Sequence, residues 1–157
     1  SKHPKEQHWA AGFLDNPIRR LIDRPAGVVD RLALTGAERV LELGPGPGFY
    51  STEIARRVPQ GQLDLFDIQP EMLDRARRNL EDAGCRNVGY HAGDASRGFP
   101  FPDGQFDVAF LAAVLGEVPD KWWWRWLPVL GNCSTGHSSP RVSGPACWVC
   151  NASCRGR

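Results

Sequence analysis

Arg39-Val40-Leu41-Glu42-Leu43-Gly44-Pro45-Gly46-Pro47-Gly48 carries the clearest fold signal in this 157-residue chain. Its first half is a short apolar run ended by glycine, the pattern of a buried strand. Its second half needs small residues if a ligand is to come close to the backbone. Phe49 to Val58 then returns to helical spacing, and Pro59-Gln60-Gly61 stops it. A helix starting there directs its free N–H groups at the glycine turn.

The same beat repeats downstream. Gln62–Phe66 reads as a strand. Pro70 to Ala83 reads as a helix with proline near its first turn and Gly84 after its end. Asn87–His91 and Phe106–Leu111 read as further strands, followed by a helix from Val118. Alternation of this kind implies βαβ units and a parallel sheet. The right-handed crossover rule narrows the fold to a Rossmann-like, doubly wound α/β sheet ordered 3-2-1-4. Upstream, residues 5–34 read as helical. Trp9, Phe13, Leu14, Ile18 and Leu21 fall mostly on one face, and Pro25 opens a further helix with Val28, Val29, Leu32 and Leu34 as its apolar side.

Composition divides the chain. Residues 1–120 hold 14 Lys+Arg and 18 Asp+Glu, whereas residues 121–157 hold five Lys+Arg and no acid. That last segment also contains five of the six Trp and four of the five Cys. The overall charge of +1 therefore joins a segment of −4 to one of +5. Three parts are expected: a helical cover over 1–38, the sheet core over 39–120 and an atypical tail over 121–157. Near-neutral charge argues against nucleic acid as a partner. No apolar run approaches the roughly 18–20 residues that cross a bilayer. Ser1-Lys2-His3-Pro4 lacks the apolar stretch of a signal peptide. A cytoplasmic location is the expectation.

The glycine spacing narrows the ligand. A dinucleotide fingerprint would put its third glycine at position 49, but Phe49 stands there and the third glycine is Gly48. Pro45 and Pro47 also remove two N–H donors, which disfavours a pyrophosphate nest and with it NAD chemistry. Asp67, at the end of the second strand, suits the two hydroxyls of a ribose. Its competing reading is a helix N-cap before Pro70-Glu71. Asp64 lies on the same strand, less terminally. In Gly93-Asp94-Ala95 a carboxylate can accept from an adenine amino group while a backbone N–H meets a ring nitrogen; an ordinary polar turn competes. Asp107 opens a strand that delivers residues 111–113 to the carboxyl edge of the sheet, where open α/β folds bind ligands.

With these pieces in place, residues 39–120 resemble a class I S-adenosylmethionine-dependent methyltransferase. They are most similar to the broad group that includes ubiquinone and menaquinone biosynthesis methyltransferases. The resemblance rests on Val40–Gly48, Asp67-Ile68-Gln69-Pro70-Glu71-Met72-Leu73, Gly93-Asp94-Ala95, Phe99–Asp107 and Val114–Asp120, in the family's order and spacing. It implies S-adenosyl-L-methionine as cofactor. Glu42 would orient the glycine turn and the cofactor's amino-acid moiety. Gly44 and Gly46, with Pro45 between them, would let the backbone approach, and Gly48 would allow close helix packing. Asp67 would hold the ribose, Ile68 the adenine face, and Asp94 with Ala95 the adenine edge. Leu111 would contact the methionine end, and Tyr50 either reaches the cofactor or packs in the core.

The reaction so implied is methyl transfer to an acceptor expected to be a small molecule. The alternative is a non-catalytic or truncated cofactor-binding domain. No residue declares itself a general base. His91 ends a strand and reads as a polar turn residue there, and His3 and His8 read as surface. Trp9, Phe13, Arg19 and Arg20 are open to a role in a substrate lid, but core packing for the aromatics and solvated charge for the arginines is the preferred reading.

The tail departs from the family pattern, so the sheet is expected to be incomplete at its C-terminal half. Lys121-Trp122-Trp123-Trp124-Arg125-Trp126 puts indoles around a helix, and beyond Gly131 no periodicity of 2 or 3.6 persists. One reading is a zinc site from Cys147, Cys150 and Cys154 with Cys133 or His137. Another is a disulfide cluster. The preferred reading is a shifted reading frame or a rearranged 3′ end after about residue 120. It leaves the fourth strand as an open edge, or paired with improvised tail structure, and predicts reduced stability, self-association or both.

Overall fold

The computed structural model describes residues 24–111 and, as backbone, the strand segments Arg141–Val142 and Trp148–Asn151. In chain order the elements are α1 (Pro25–Asp30), β1 (Arg39–Leu43), α2 (Ser51–Arg57), β2 (Gln62–Asp67), α3 (Pro70–Asp82), β3 (Val88–Ala92), a 3-10 turn (Ala95–Arg97), β4 (Val108–Leu111), β5 (Arg141–Val142) and β6 (Trp148–Asn151). They form one sheet ordered β3-β2-β1-β4-β6-β5. The first four strands run parallel in the anticipated 3-2-1-4 order, with Val40 aligned to Leu63 and to Val108.

Both faces of β1, β2 and β4 are covered, which is why their sequences run mostly apolar rather than alternate. On one face Val40, Leu63, Leu65, Val108 and Phe110 pack against Val29 and Leu32, Ile54 and Val58 of the α2 region, and Leu73, Ala76 and Leu80 of α3. On the other, Leu41, Leu43, Phe66, Phe106, Ala109 and Leu111 meet Phe99 and Phe101. The buried positions of α3 recur at helical spacing, and Pro70 stands in its first turn.

Element boundaries shift where side chains do other work. α1 ends at Asp30, so Leu34 lies beyond it. The cause is Ala33, whose φ of 51° turns the chain, while Glu38 accepts bonds from the Thr35 and Gly36 N–H groups. β3 starts after Asn87, whose amide donates to the Ala55 and Val58 carbonyls at the end of α2, at 3.0 and 2.7 Å. β4 starts after Asp107, which clamps the start of β1. Its N–H donates to the Arg39 carbonyl (2.8 Å), and its Oδ2 accepts from the Arg39 N–H (2.9 Å).

The tail yields strands that side-chain periodicity did not announce. β6 runs antiparallel to β4, with Val108 opposite Asn151, and β5 pairs with β6. An open strand edge is satisfied by any backbone that can reach it, and that pairing needs no side-chain period. Several expectations lie outside the described residues: the helices over 5–23 with His3, His8, Trp9, Phe13, Arg19 and Arg20, the Val114–Asp120 motif, the helix from Val118, the Trp cluster, and Cys133, His137, Cys147 and Cys154 of the zinc and disulfide readings.

Candidate functional site

Parallel strands end at the same sheet edge, so the carboxyl ends of β1, β2, β3 and β4 are neighbours there. The glycine turn after β1 has φ values of 63° at Gly44, 55° at Gly46 and 89° at Gly48, a left-handed path that side chains strain. The Gly44 N–H donates to the Phe66 carbonyl of β2 (2.9 Å), and the Gly48 N–H closes the turn on the Pro45 carbonyl (3.1 Å). α3 braces the turn from below. A Cβ on Gly48 would lie 3.4 Å from Ala76, and the Asn79 amide donates to the Pro47 carbonyl at 2.8 Å. Pro45, Pro47 and Gly48 are buried.

Glu42 is the last but one residue of β1 and only 1% exposed. Its Oε2 accepts from the Ser51 hydroxyl at 2.7 Å, and its Oε1 has no hydrogen-bond partner among the described residues. Burial pushes its carboxyl up to about 7 against the opposing bond from Ser51, and the charge of Asp67 adds to the rise.

Asp67 closes β2. Its Oδ1 accepts from the Gln69 N–H at 2.9 Å, and Gln69, not Asp67, is the N-cap of α3. The next residue, Ile68, is 64% exposed, the large apolar side chain left open among the described residues. The exit of β3 meets this segment through the Gly93 N–H, which donates to the Asp67 carbonyl (2.9 Å). Asp94 caps the 3-10 turn through a bond from the Ser96 N–H (2.9 Å). The Ser96 hydroxyl and N–H hold its carboxyl below the usual value. Ala95 opens that turn, half-buried. Leu111 ends β4 in register with Leu43 and is buried.

Tyr50 is buried in the core, its ring edge-on to Phe49 and Phe110 at 4.8 and 5.5 Å. His91 corrects a sequence expectation. It sits within β3 rather than in a turn, with Nε2 2.8 Å from Asp64 Oδ1 and its ring against Phe101. Sequence reasoning also missed Ser51 and Asn79. The only sequence signal for Ser51 is a small hydroxyl residue at the first helical position after the turn. For Asn79 there is none, because its partner lies 32 residues away.

A glycine turn between a parallel strand and its helix, with an acid ending the next strand, defines a Rossmann-like domain built for a nucleoside-containing ligand. Residues 40–132 match the family described as the methyltransferase domain, and the chain belongs to that family, of the class I S-adenosylmethionine-dependent type. The match runs past the composition break at residue 120. A solved S-adenosylmethionine-dependent methyltransferase from Aquifex aeolicus superimposes with a TM-score of 0.71 at 26% identity, covering 81% of this chain and 69% of that one. A protein-L-isoaspartate O-methyltransferase of Anaeromyxobacter sp. is 36% identical over 74% of this chain and 56% of its own length. A ubiquinone/menaquinone biosynthesis C-methyltransferase of Psychromonas ingrahamii is 38% identical over 59% of this chain and 38% of its own. The chain thus spans about half the length of the curated relatives it matches, or less. Among the described residues no helix is long and apolar enough to cross a membrane.

Proposed function

We propose that this chain binds S-adenosyl-L-methionine over 39–120 and transfers its methyl group to an acceptor. The observation that carries this reading is the buried Glu42 carboxylate, with one oxygen unpartnered, two residues before a glycine turn of left-handed backbone. A buried acceptor of this kind stays unfavourable until a donor arrives, and the ammonium of an amino-acid moiety is such a donor. The turn of Gly44, Pro45, Gly46 and Gly48 admits that moiety, and Asp67 accepts from the ribose hydroxyls. Exposed Ile68 covers the adenine face, Asp94 and the Ala95 N–H read its edge, and Leu111 borders the methionine end. Tyr50 supports the turn from the core. When bound, the cofactor supplies a methyl group on a good leaving group, so the residues contribute position and exclusion of water. The segments over 1–38 and 121–157 then flank this core as cover and tail.

Two relatives that cover 74% and 75% of this chain are named for protein L-isoaspartate. That favours a carboxylate on a protein as acceptor, in place of the small molecule expected from sequence. A small-molecule acceptor is the second reading, carried by the C-methyltransferase relative and the ordered motif set. Calorimetric titration with S-adenosylmethionine and its demethylated product tests the cofactor. A radiolabelled methyl-transfer assay on isoaspartyl peptides and on quinone precursors then separates the acceptors. Absence of binding overturns the proposal, and binding without transfer to either class leaves a cofactor-binding domain in its place.

A further inference from the structure

Ser51 has no role in the assignments above, yet it is fully buried and spends its hydroxyl on Glu42. It is the first residue of α2, so it is tied both to the helix and to the strand that flank the glycine turn. Its bond engages Oε2 alone and leaves Oε1 without a partner. A carboxyl in that position has two ways to satisfy its second oxygen. It takes up a proton while the site is empty of cations, or it stays ionised and accepts from a bound cation.

We propose that Ser51 is a positioning residue that holds Glu42 to receive the cofactor's ammonium group, and that cofactor uptake is coupled to release of the Glu42 proton to solvent. This rests on the reading that Glu42 faces the amino-acid moiety.

The surroundings of Glu42 support the coupling. Its register neighbours are Leu65 on β2 and Phe110 on β4, both fully buried and neither able to share a proton. α2 offers the Ser51 hydroxyl, and the residue before it, Tyr50, packs its ring on Phe110. α3 brings Ala76 against Gly48. The charged group acting on Glu42 among the described residues is Asp67, a carboxylate that favours the protonated form. Burial adds to this and places the carboxyl near 7, where a modest stimulus moves the proton. An arriving ammonium supplies that stimulus and ejects the proton. Ser51 works in the opposite sense to burial by donating to the ionised form.

The test is calorimetric titration of the demethylated cofactor product into the full chain, in buffers of different ionisation enthalpy between pH 6 and 8.5. Wild type should release a fraction of a proton near pH 7, falling to none by pH 8.5. Glu42→Gln should bind more weakly and release none. Ser51→Ala loses a donor to the carboxylate, so its pH profile should move up by about one pH unit. A merely structural role for Ser51 would change the affinity but leave the profile in place. As a check that needs no cofactor, the infrared carboxyl band of the protonated acid should titrate at higher pH in Ser51→Ala and vanish in Glu42→Gln. Wild type that binds without proton release, or a profile and band unmoved by Ser51→Ala, overturns this inference alone. Wild type that binds no cofactor overturns the functional reading instead.

Discussion

Asp64 and His91 face each other across neighbouring strands, with Asp64 Oδ1 2.8 Å from His91 Nε2, and Gly89 makes room for the pair. A Cβ on Gly89 would lie 2.3 Å from Asp64 Oδ1 and 3.0 Å from His91 Nε2. Gly89→Ala should therefore push the carboxylate off the imidazole and destabilise by about 1–2 kcal/mol. Gly61→Ala should cost more, about 3 kcal/mol or above, because its Cβ would stand 2.0 Å from the Glu38 carbonyl oxygen, a backbone atom that cannot swing aside. Urea midpoints of the two variants check the order; a Gly61→Ala protein as stable as wild type would contradict it.

Glu42 makes the ligand-free protein sensitive to pH. Its carboxyl stands at about 7 in the folded chain against an ordinary value of 4.5, so folding favours the protonated form. The stability it contributes is complete below about pH 4.5 and is lost as the pH rises through 7. From this group alone, that loss amounts to roughly 2–3 kcal/mol between pH 5 and 8. Glu42→Gln should flatten the dependence and melt higher than wild type at pH 8, as thermal scans across that range would show.

Glu38 has the opposite sign. Partial burial raises its proton affinity, but the bonds from the Thr35 hydroxyl and the Thr35 and Gly36 N–H groups outweigh it and hold the carboxyl near 2. Its contribution is present above about pH 4.5 and lost as the pH falls through 2. Solvent screening at this half-exposed turn reduces the effect to about 1 kcal/mol at pH 7. Glu38→Ala should lose that amount at neutral pH, and the gap to wild type should close in acid.

Asn79 separates affinity from stability. Its side chain is exposed except for the bond to the Pro47 carbonyl. Asn79→Ala gains helix propensity while releasing the glycine turn. The melting temperature should change little, whereas S-adenosylmethionine should bind about threefold to tenfold more weakly. Equal losses in both would assign Asn79 to the scaffold.

Asp67→Asn keeps an oxygen for the Gln69 N–H but removes the charge and one acceptor. Cofactor affinity should fall about tenfold or more, with no more than a small loss of stability. Calorimetry against a ligand lacking the ribose hydroxyls should show the variant and wild type converging.

β1 and β2 are legible in the sequence because each is a short run, largely apolar, closed by glycine or acid and followed by helical spacing, and the alternation they begin implies the order of the parallel sheet. Val40–Leu43 and the Gly44–Gly48 turn announce themselves through local chemistry, and so does Pro70 at the start of α3. The glycine turn, Asp67, Ile68 and Asp94 were legible for a related reason: parallel strands deliver consecutive loops to one edge, so chain order already implies proximity.

Other relationships required the folded chain. Asn79 reaches Pro47, Asn87 reaches Ala55 and Val58, and Asp107 reaches Arg39 across 68 residues. None follows from periodicity, since a hydrogen bond depends on where two elements pack and not on the spacing within either. His91 read as a turn residue because one residue at a strand end decides whether a side chain meets solvent or Asp64. β6 was invisible for the same kind of reason, since pairing on the edge of β4 uses backbone groups that every residue carries. Local patterning thus determined which segments become strand, turn and helix. Tertiary packing decided which polar atoms are satisfied, and among the described residues it left Glu42 Oε1 buried without a partner.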